Sequence, residues 1–200
     1  MKISRTFALP GIAVLCLTAS VWANAQQPAS DRMHLHLDPA TTEVHYTLKD
    51  SIHTVHGTFH LKGGEITFDT HSGAAQGVIS VETASGASGN DTRDGKMKRD
   101  YLETPRFPLA TFEPQKVTGF NPAADTQKIS VAGSLTLHGG AHPMTLEFEV
   151  THSGMQITAI THFPIPFVAW GIKDPSIPFV KVEKEVAMDI NAKGSLTAEK

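Results

Sequence analysis

Between Met144 and Val150 every second residue is apolar (Met144, Leu146, Phe148, Val150), and the residues between them are Thr145, Glu147 and Glu149. Side chains on a strand alternate between its two faces, so a pairing slip of one residue would bury two carboxylates and expose the apolar set. The segment is therefore read as a strand with one dry face, one wet face and a fixed register. The same period runs through Thr54 to Leu61, where Val55, Gly57, Phe59 and Leu61 alternate with polar residues. It returns in Val44, Tyr46 and Leu48; in Ile66 and Phe68; in Gly77, Ile79 and Val81; and in Ala110 and Phe112. Later runs are Ile129, Val131, Gly133, Leu135 and Leu137, then Val180, Val182, Val186, Met188 and Ile190. Gly63-Gly64 is read as a hairpin turn, and Asn121-Pro122, Gly139-Gly140 and Ser153-Gly154 as further turns. Short antiparallel strands at this spacing predict an all-β sandwich or barrel.

One stretch departs from the period. Asp91 to Tyr101 is dense in charge, lacks a β-branched run and places Met97, Tyr101 and Leu102 at helical spacing, so a short helical segment is expected near residues 94–103. Pro105 and Pro108 end it, and strand resumes at Leu109.

At the N-terminus, Lys2 and Arg5 precede an apolar run from Phe7 to Val21, and Ala23-Asn24-Ala25 follows. This is the layout of a secretory signal, with cleavage expected after Ala25, and it makes the periplasm the expected location. The apolar run is short for a spanning helix, which needs ~20 residues. Leu15 ahead of Cys16 is too large for a lipobox. Residues 26–33 are read as a flexible leader and residues 34–200 as one domain. Cleavage removes Cys16, the only cysteine, so no internal disulfide is available and the core must supply the stability. A chain of this length buries ~70% of its unfolded surface, enough for one apolar interior.

The whole chain carries a formal charge of −3, and loss of Lys2 and Arg5 makes the mature chain more acidic. That balance argues against a nucleic-acid partner and against a polybasic membrane-surface protein. A local cationic cluster nonetheless remains in Arg93, Lys96, Lys98, Arg99 and Arg106.

Catalytic signatures are lacking: the sequence has no G-x-S-x-G elbow, no H-E-x-x-H and no phosphate-cradling glycine loop, and a carboxylate pair would first be sought in Asp94 and Asp100. The chain is read as a binding protein and not an enzyme. Its 11 histidines include His34 and His36, on one strand face, and His53, His56 and His60 along a wet face. Zinc needs three or four convergent ligands, so no metal site and no cofactor are assigned.

A barrel of about eight strands has room inside for its own side chains or for one small ligand. The expected inward set mixes large residues such as Phe59 and Phe148 with small ones such as Gly57 and Gly133, which suits either.

Residues 88–114 carry Arg93-Asp94, the short helical run Met97 to Leu102, Phe107-Pro108 and the strand Ala110 to Phe112. They resemble the signature region of the YceI-like lipid/polyisoprenoid-binding family. Leu37-Asp38-Pro39-Ala40 with Glu43-Val44-His45-Tyr46 is similar to that family's opening strand, and Gly133 to Gly139 to its late hairpin. Phe167 to Ser176 is similar to the C-terminal motif of one exported branch. Lys96 departs from the pattern, standing where members often place a histidine.

The resemblance implies an antiparallel, lipocalin-like β-barrel that binds and carries or sequesters an amphiphilic lipid, of isoprenoid or fatty-acyl type, in its interior. The tunnel wall would be drawn from Val44, Tyr46, Phe59, Phe68, Ile79, Phe112, Leu135, Leu146, Phe148, Trp170 and Met188. A charged head group would meet Arg93, Lys96 or Arg99. A homodimer and a transient contact with a membrane or membrane protein are compatible with that role. Two other readings stand beside it: a stress-related interaction barrel with a packed interior, and a histidine-based metal binder.

Overall fold

The computed structural model describes residues 32–199. The expected signal segment, its cleavage point and most of the expected leader lie outside the described residues. Nine strands follow one another: β1 (Arg32–Leu37), β2 (Glu43–Lys49), β3 (Thr54–Asp69), β4 (Ala75–Ala87), β5 (Leu109–Thr118), β6 (Thr126–Leu137), β7 (Gly140–Ser153), β8 (Gln156–Ile165) and β9 (Val186–Ala198). Between β4 and β5, helix α1 (Asp91–Lys96) runs into a π-helical turn, Met97–Tyr101.

Every ladder is antiparallel, and the sheet closes on itself through β3 and β4. β1 and β2 share one place in the ring. β1 pairs with the second half of β3, from Arg32 opposite Asp69 to Leu37 opposite Gly64, and β2 pairs with the first half. Both also pair with β9. The nine strands thus fill eight positions of a closed barrel, which leaves no free sheet edge.

The expected alternation is what the barrel buries. In β2, Val44 and Tyr46 are buried while Glu43 and His45 are exposed; in β7, Leu146 and Val150 are buried while Glu147 and Glu149 are exposed. The helix starts where Asn90 caps it, its side chain accepting from the Arg93 N–H at 3.0 Å.

Three expectations need correction. Gly63-Gly64 is not a hairpin: β3 runs straight through it, and its pairing with β4 shifts register between Leu61 and Gly63. The glycines mark a bulge that bends a long strand, and a Cβ on Gly64 would come within 2.8 Å of Leu37 Cδ1. Val180 and Val182 do not belong to β9, because the chain doubles back at Pro178-Phe179 and pairs Val180 with Ile177. Arg32 and Met33, placed in the leader, are already in β1, opposite Asp69 and Phe68. One strand escaped the sequence reading altogether: β8, whose inward residues Ile157, Ala159, Thr161, Phe163 and Ile165 carry the same period.

Apart from residues 38–42, which join β1 to β2 part-way along the wall, the connections sort to the two ends of the barrel. Residues 70–74, 119–125 and 154–155 join strands at one end. Residues 50–53, 88–108, 138–139 and 166–185 join them at the other, so the helix and the longest loop share one rim.

Candidate functional site

The barrel interior is largely apolar, with Thr83 and Thr161 as buried hydroxyl residues. At the short-loop end, Phe68 meets Phe120 edge to face, with 5.0 Å between ring centroids, above a cluster that includes Phe112, Leu146, Leu196 and Val150. A small middle group of Leu37, Leu61 and Ala192, with Ile79, Val81 and Ile190 packed on it, continues the wall. The long-loop end holds Val44, Tyr46, Leu137, Ile165, Phe167, Ile172 and Met188.

All eleven expected wall residues enter this interior. Phe68, Phe112 and Leu146 lie in the short-loop cluster with Ile79 and Phe148 packed on it; Val44, Tyr46 and Met188 lie in the other with Phe59 and Trp170; Leu135 touches both. Their burial is uneven. Val150, at the short-loop end, is the largest side chain fully shut off from solvent. Phe59, Ile79, Leu135, Phe148, Phe163 and Ile190 point inward yet remain only half-buried. Side chains in a close-packed core make contacts on all sides, whereas these keep a solvent-reached face.

Trp170 reaches the interior from a loop and not from a strand. Its segment coils through Trp170 N–H to Pro166 O (3.1 Å), Gly171 N–H to Val168 O (3.1 Å) and Ile172 N–H to Phe167 O (3.0 Å). This tucks Phe167 and Ile172 under the rim and stacks the Trp170 ring flat on His142, with 3.9 Å between centroids and 2° between planes.

A polar knot sits where the helix meets the rim. The buried Asp94 carboxylate accepts from the Ser88 N–H at 2.9 Å and from the Ser88 hydroxyl. Arg93 donates from Nε to the same hydroxyl (2.7 Å) and from an Nη to the Ser88 carbonyl (3.0 Å). Burial alone would raise the Asp94 carboxyl, but the two Ser88 donors, with Arg93 and Lys98 nearby, outweigh it and hold the group below its ordinary value. Burial pushes the Tyr46 phenol up, against a Ser88 hydrogen bond that pulls the other way. Tyr46 is thereby both barrel wall and a member of the knot.

The three expected head-group cations differ in what they already hold. Arg93 is spent on Ser88, and Arg99 forms a two-pronged pair with Asp100 at 2.7 and 2.8 Å. Lys96 is exposed and lies near Asp100 without a close ion pair among the described residues. Arg99 also lines, with Lys98, Glu103, Thr104, Pro105 and Arg106, a surface depression of about 340 Å³. Asp94 and Asp100, the carboxylates considered for catalysis, are bound to different partners and form no dyad.

The histidines are used locally. His34 Nε2 is 3.0 Å from Glu65 Oε2 and His36 bonds the other Glu65 oxygen, so the two rings do share a face. His56 Nδ1 is 3.0 Å from Thr47 Oγ1. Among the described residues no three His, Cys, Asp or Glu side chains gather as metal ligands would.

Four contributors were missed: Ser88, His142, Phe163 and Thr161, whose buried hydroxyl has no hydrogen-bond partner among the described residues. The run Ile157 to Ile165 carried a signal for Thr161 and Phe163; His142 carried none, because Trp170 is distant in sequence, and Ser88, though five and six residues from Arg93 and Asp94, stands in no alternation or motif that marks it.

Known proteins share this architecture. The crystal structure of BcnA from Burkholderia cenocepacia superposes with a TM-score of 0.63 at 21% identity, covering 78% of this chain and 98% of that one. A protein from Saccharophagus degradans, described as a polyisoprenoid binding domain implicated in plant cell wall breakdown, gives 0.60 at 15% identity over 84% and 99%. Protein YceI of Escherichia coli O6:H1 is 32% identical over 102 residues, 50% of this chain and 51% of the relative. The chain spans about half the length of the curated relatives it matches. The model of the YceI-like domain matches residues 35–194, nearly the whole barrel from β1 into β9, and the chain belongs to that family.

Proposed function

We propose that this barrel binds an amphiphilic lipid of isoprenoid or fatty-acyl type, with its apolar tail in the interior and its polar end at the long-loop rim. The observation that carries the reading is the incompletely packed wall. Inward apolar side chains extend from the Phe68–Phe120 plug to Trp170, and six of them, Phe59, Ile79, Leu135, Phe148, Phe163 and Ile190, keep a solvent-reached face. An apolar surface of this kind left wet is costly, at ~25 cal/mol per Å², and a tail that covers it recovers that energy.

The tail would lie against Phe68, Ile79, Phe112, Leu135, Leu146 and Phe148, and pass Val44, Tyr46, Phe59, Met188 and Trp170 at the rim. The head would be met by Lys96, whose ammonium holds no close partner among the described residues, while Arg93 and Arg99 would first have to leave Ser88 and Asp100. The description of the Saccharophagus degradans neighbour as a polyisoprenoid binding domain supports the same ligand class. The role is carrying or sequestering and not catalysis, and the N-terminal signal layout supports the periplasm as its place.

Native mass spectrometry of gently purified protein tests this, with extraction and identification of whatever lipid accompanies it. The expected result is a bound species, or uptake of added polyprenyl or fatty-acyl ligand with close to one per chain. Apo mass alone, together with no uptake of either ligand, would overturn it and favour a packed barrel that works through its surface.

A further inference from the structure

Among the described residues few large apolar side chains stand in solvent, and three of them sit on two neighbouring loops of the long-loop rim. Phe179 is 96% exposed, Ile177 59% and Ile52 61%. Isolated exposed apolar residues need no explanation, but a cluster on one rim does.

The cluster is held rigidly. Ile177 and Val180 exchange backbone hydrogen bonds at 3.0 and 3.1 Å, making a tight hairpin with Pro178 and Phe179 at its tip. Phe179 adopts φ 75°, a left-handed conformation that disfavours a bulky side chain, and the ring it presents has almost no contact with its own chain. The base of the hairpin is fastened by Ser176 N–H to Asp174 Oδ1 (2.9 Å), Val182 N–H to Ser176 Oγ (3.0 Å) and a Lys184–Asp174 ion pair. Ser51 N–H donates to the Lys181 carbonyl at 2.8 Å, and Lys181 N–H to Ser51 Oγ at 3.2 Å, which binds the Ile52 loop to the same base.

Charge is distributed to match. The rim segments 49–54, 88–108 and 166–185 hold nine of the fourteen Lys and Arg of residues 32–199, but only eight of the nineteen Asp and Glu. With Lys49 at the end of β2 counted in, the rim is net positive by one, while the rest of the barrel is net negative by six. An acidic body with a near-neutral, apolar-tipped rim leaves that rim the face least repelled by an anionic surface.

We infer that the Ile177-Pro178-Phe179-Val180 hairpin, with Ile52, docks the rim onto an anionic lipid bilayer. Phe179 and Ile177 enter the headgroup–acyl boundary, and Lys181, beside the hairpin, and Lys49, at the end of β2, face the lipid phosphates. The inference extends the proposed lipid binding, since it sets the barrel mouth against the source or destination of its cargo.

The test is co-sedimentation of the purified protein with vesicles of phosphatidylethanolamine and phosphatidylglycerol, and with vesicles of phosphatidylcholine alone. The variant is Ile177→Ser with Phe179→Asn, since asparagine tolerates the left-handed backbone. Uptake of a polyprenyl alcohol from detergent micelles is measured in parallel. Wild type is expected to sediment with the anionic vesicles and weakly with the zwitterionic ones. The double variant, with an unchanged thermal midpoint, should lose at least about tenfold in partitioning, since two large apolar side chains no longer enter the bilayer. Its uptake from micelles should be unchanged. Wild type left in the supernatant, or a variant that sediments equally well, overturns the inference. So does a wild-type dimer that the variant dissociates, which would give the surface to a second copy. Vesicle binding that depends on Phe179 without any micellar uptake would keep the docking and overturn the cargo reading.

Discussion

Tyr46 lies directly across the β2–β3 ladder from Gly57, and its ring occupies the space a side chain at Gly57 would need. A Cβ built on Gly57 would stand 2.4 Å from the Tyr46 ring and 2.5 Å from the Ala87 carbonyl. The missing side chain lets the phenol lie along the wall toward Phe59, with 5.3 Å between the two rings, and reach the Ser88 knot. Gly57→Ala is therefore expected to cost about 1–3 kcal/mol, read from the urea unfolding midpoint, because Tyr46 must give way in a confined interior. A variant as stable as wild type would show that Tyr46 moves without cost.

Phenylalanines at the two ends should respond differently to truncation. Phe68→Ala removes half of the plug with Phe120 from a buried site and is expected to lose ~3–5 kcal/mol. Phe59→Ala acts at a half-buried position near the rim and should lose less, while changing uptake of an added polyprenyl ligand. Equal losses in denaturant melts, with uptake unaffected by Phe59→Ala, would identify both as ordinary core.

Acid should loosen the helix–rim junction. The Asp94 carboxyl is held below its unfolded value of ~3.9, so the stability it contributes is complete above that pH and is lost as the pH falls through the folded value. Asp94→Asn should cost about 1–2 kcal/mol at pH 7, where it weakens two Ser88 hydrogen bonds to a buried carboxylate. The gap between wild type and variant, followed by thermal melts, should narrow below about pH 4. A gap unchanged from neutral pH down to pH 3 would deny the carboxylate this role.

Trp170 reports on the rim. It is the only tryptophan among the described residues, stacked on His142 at 3.9 Å. A tail passing the rim should shift its emission, and His142→Ala should alter the emission of the ligand-free protein and shrink the ligand-induced shift. Emission that ignores saturating ligand in both proteins would place Trp170 away from the entry path.

Much of the barrel was legible in the residues because strand alternation is local. Val44 with Tyr46 and Leu146 with Val150 declare their face within a few positions, and burial follows that face. Where alternation continued through a bend, the reading went astray. Gly63-Gly64 could equally turn or bulge, and the choice was made by Leu37 packing against Gly64 from another strand. Val180 and Val182 kept the period but pair with Ile177 and Asp50, and β9 begins only at Val186.

The sequence by itself determined the wet and dry faces, the strand register, the helical interruption and the family pattern, since each depends on spacing along a few residues. Tertiary structure alone decided that β1 and β2 share one place in the ring, and that Trp170 rests on His142. It also decided that Tyr46 meets the Ser88 knot, and that Phe179 stands on the same rim as Ile52. Those relationships join segments far apart in the chain, and their geometry is set by barrel closure, which no local pattern encodes.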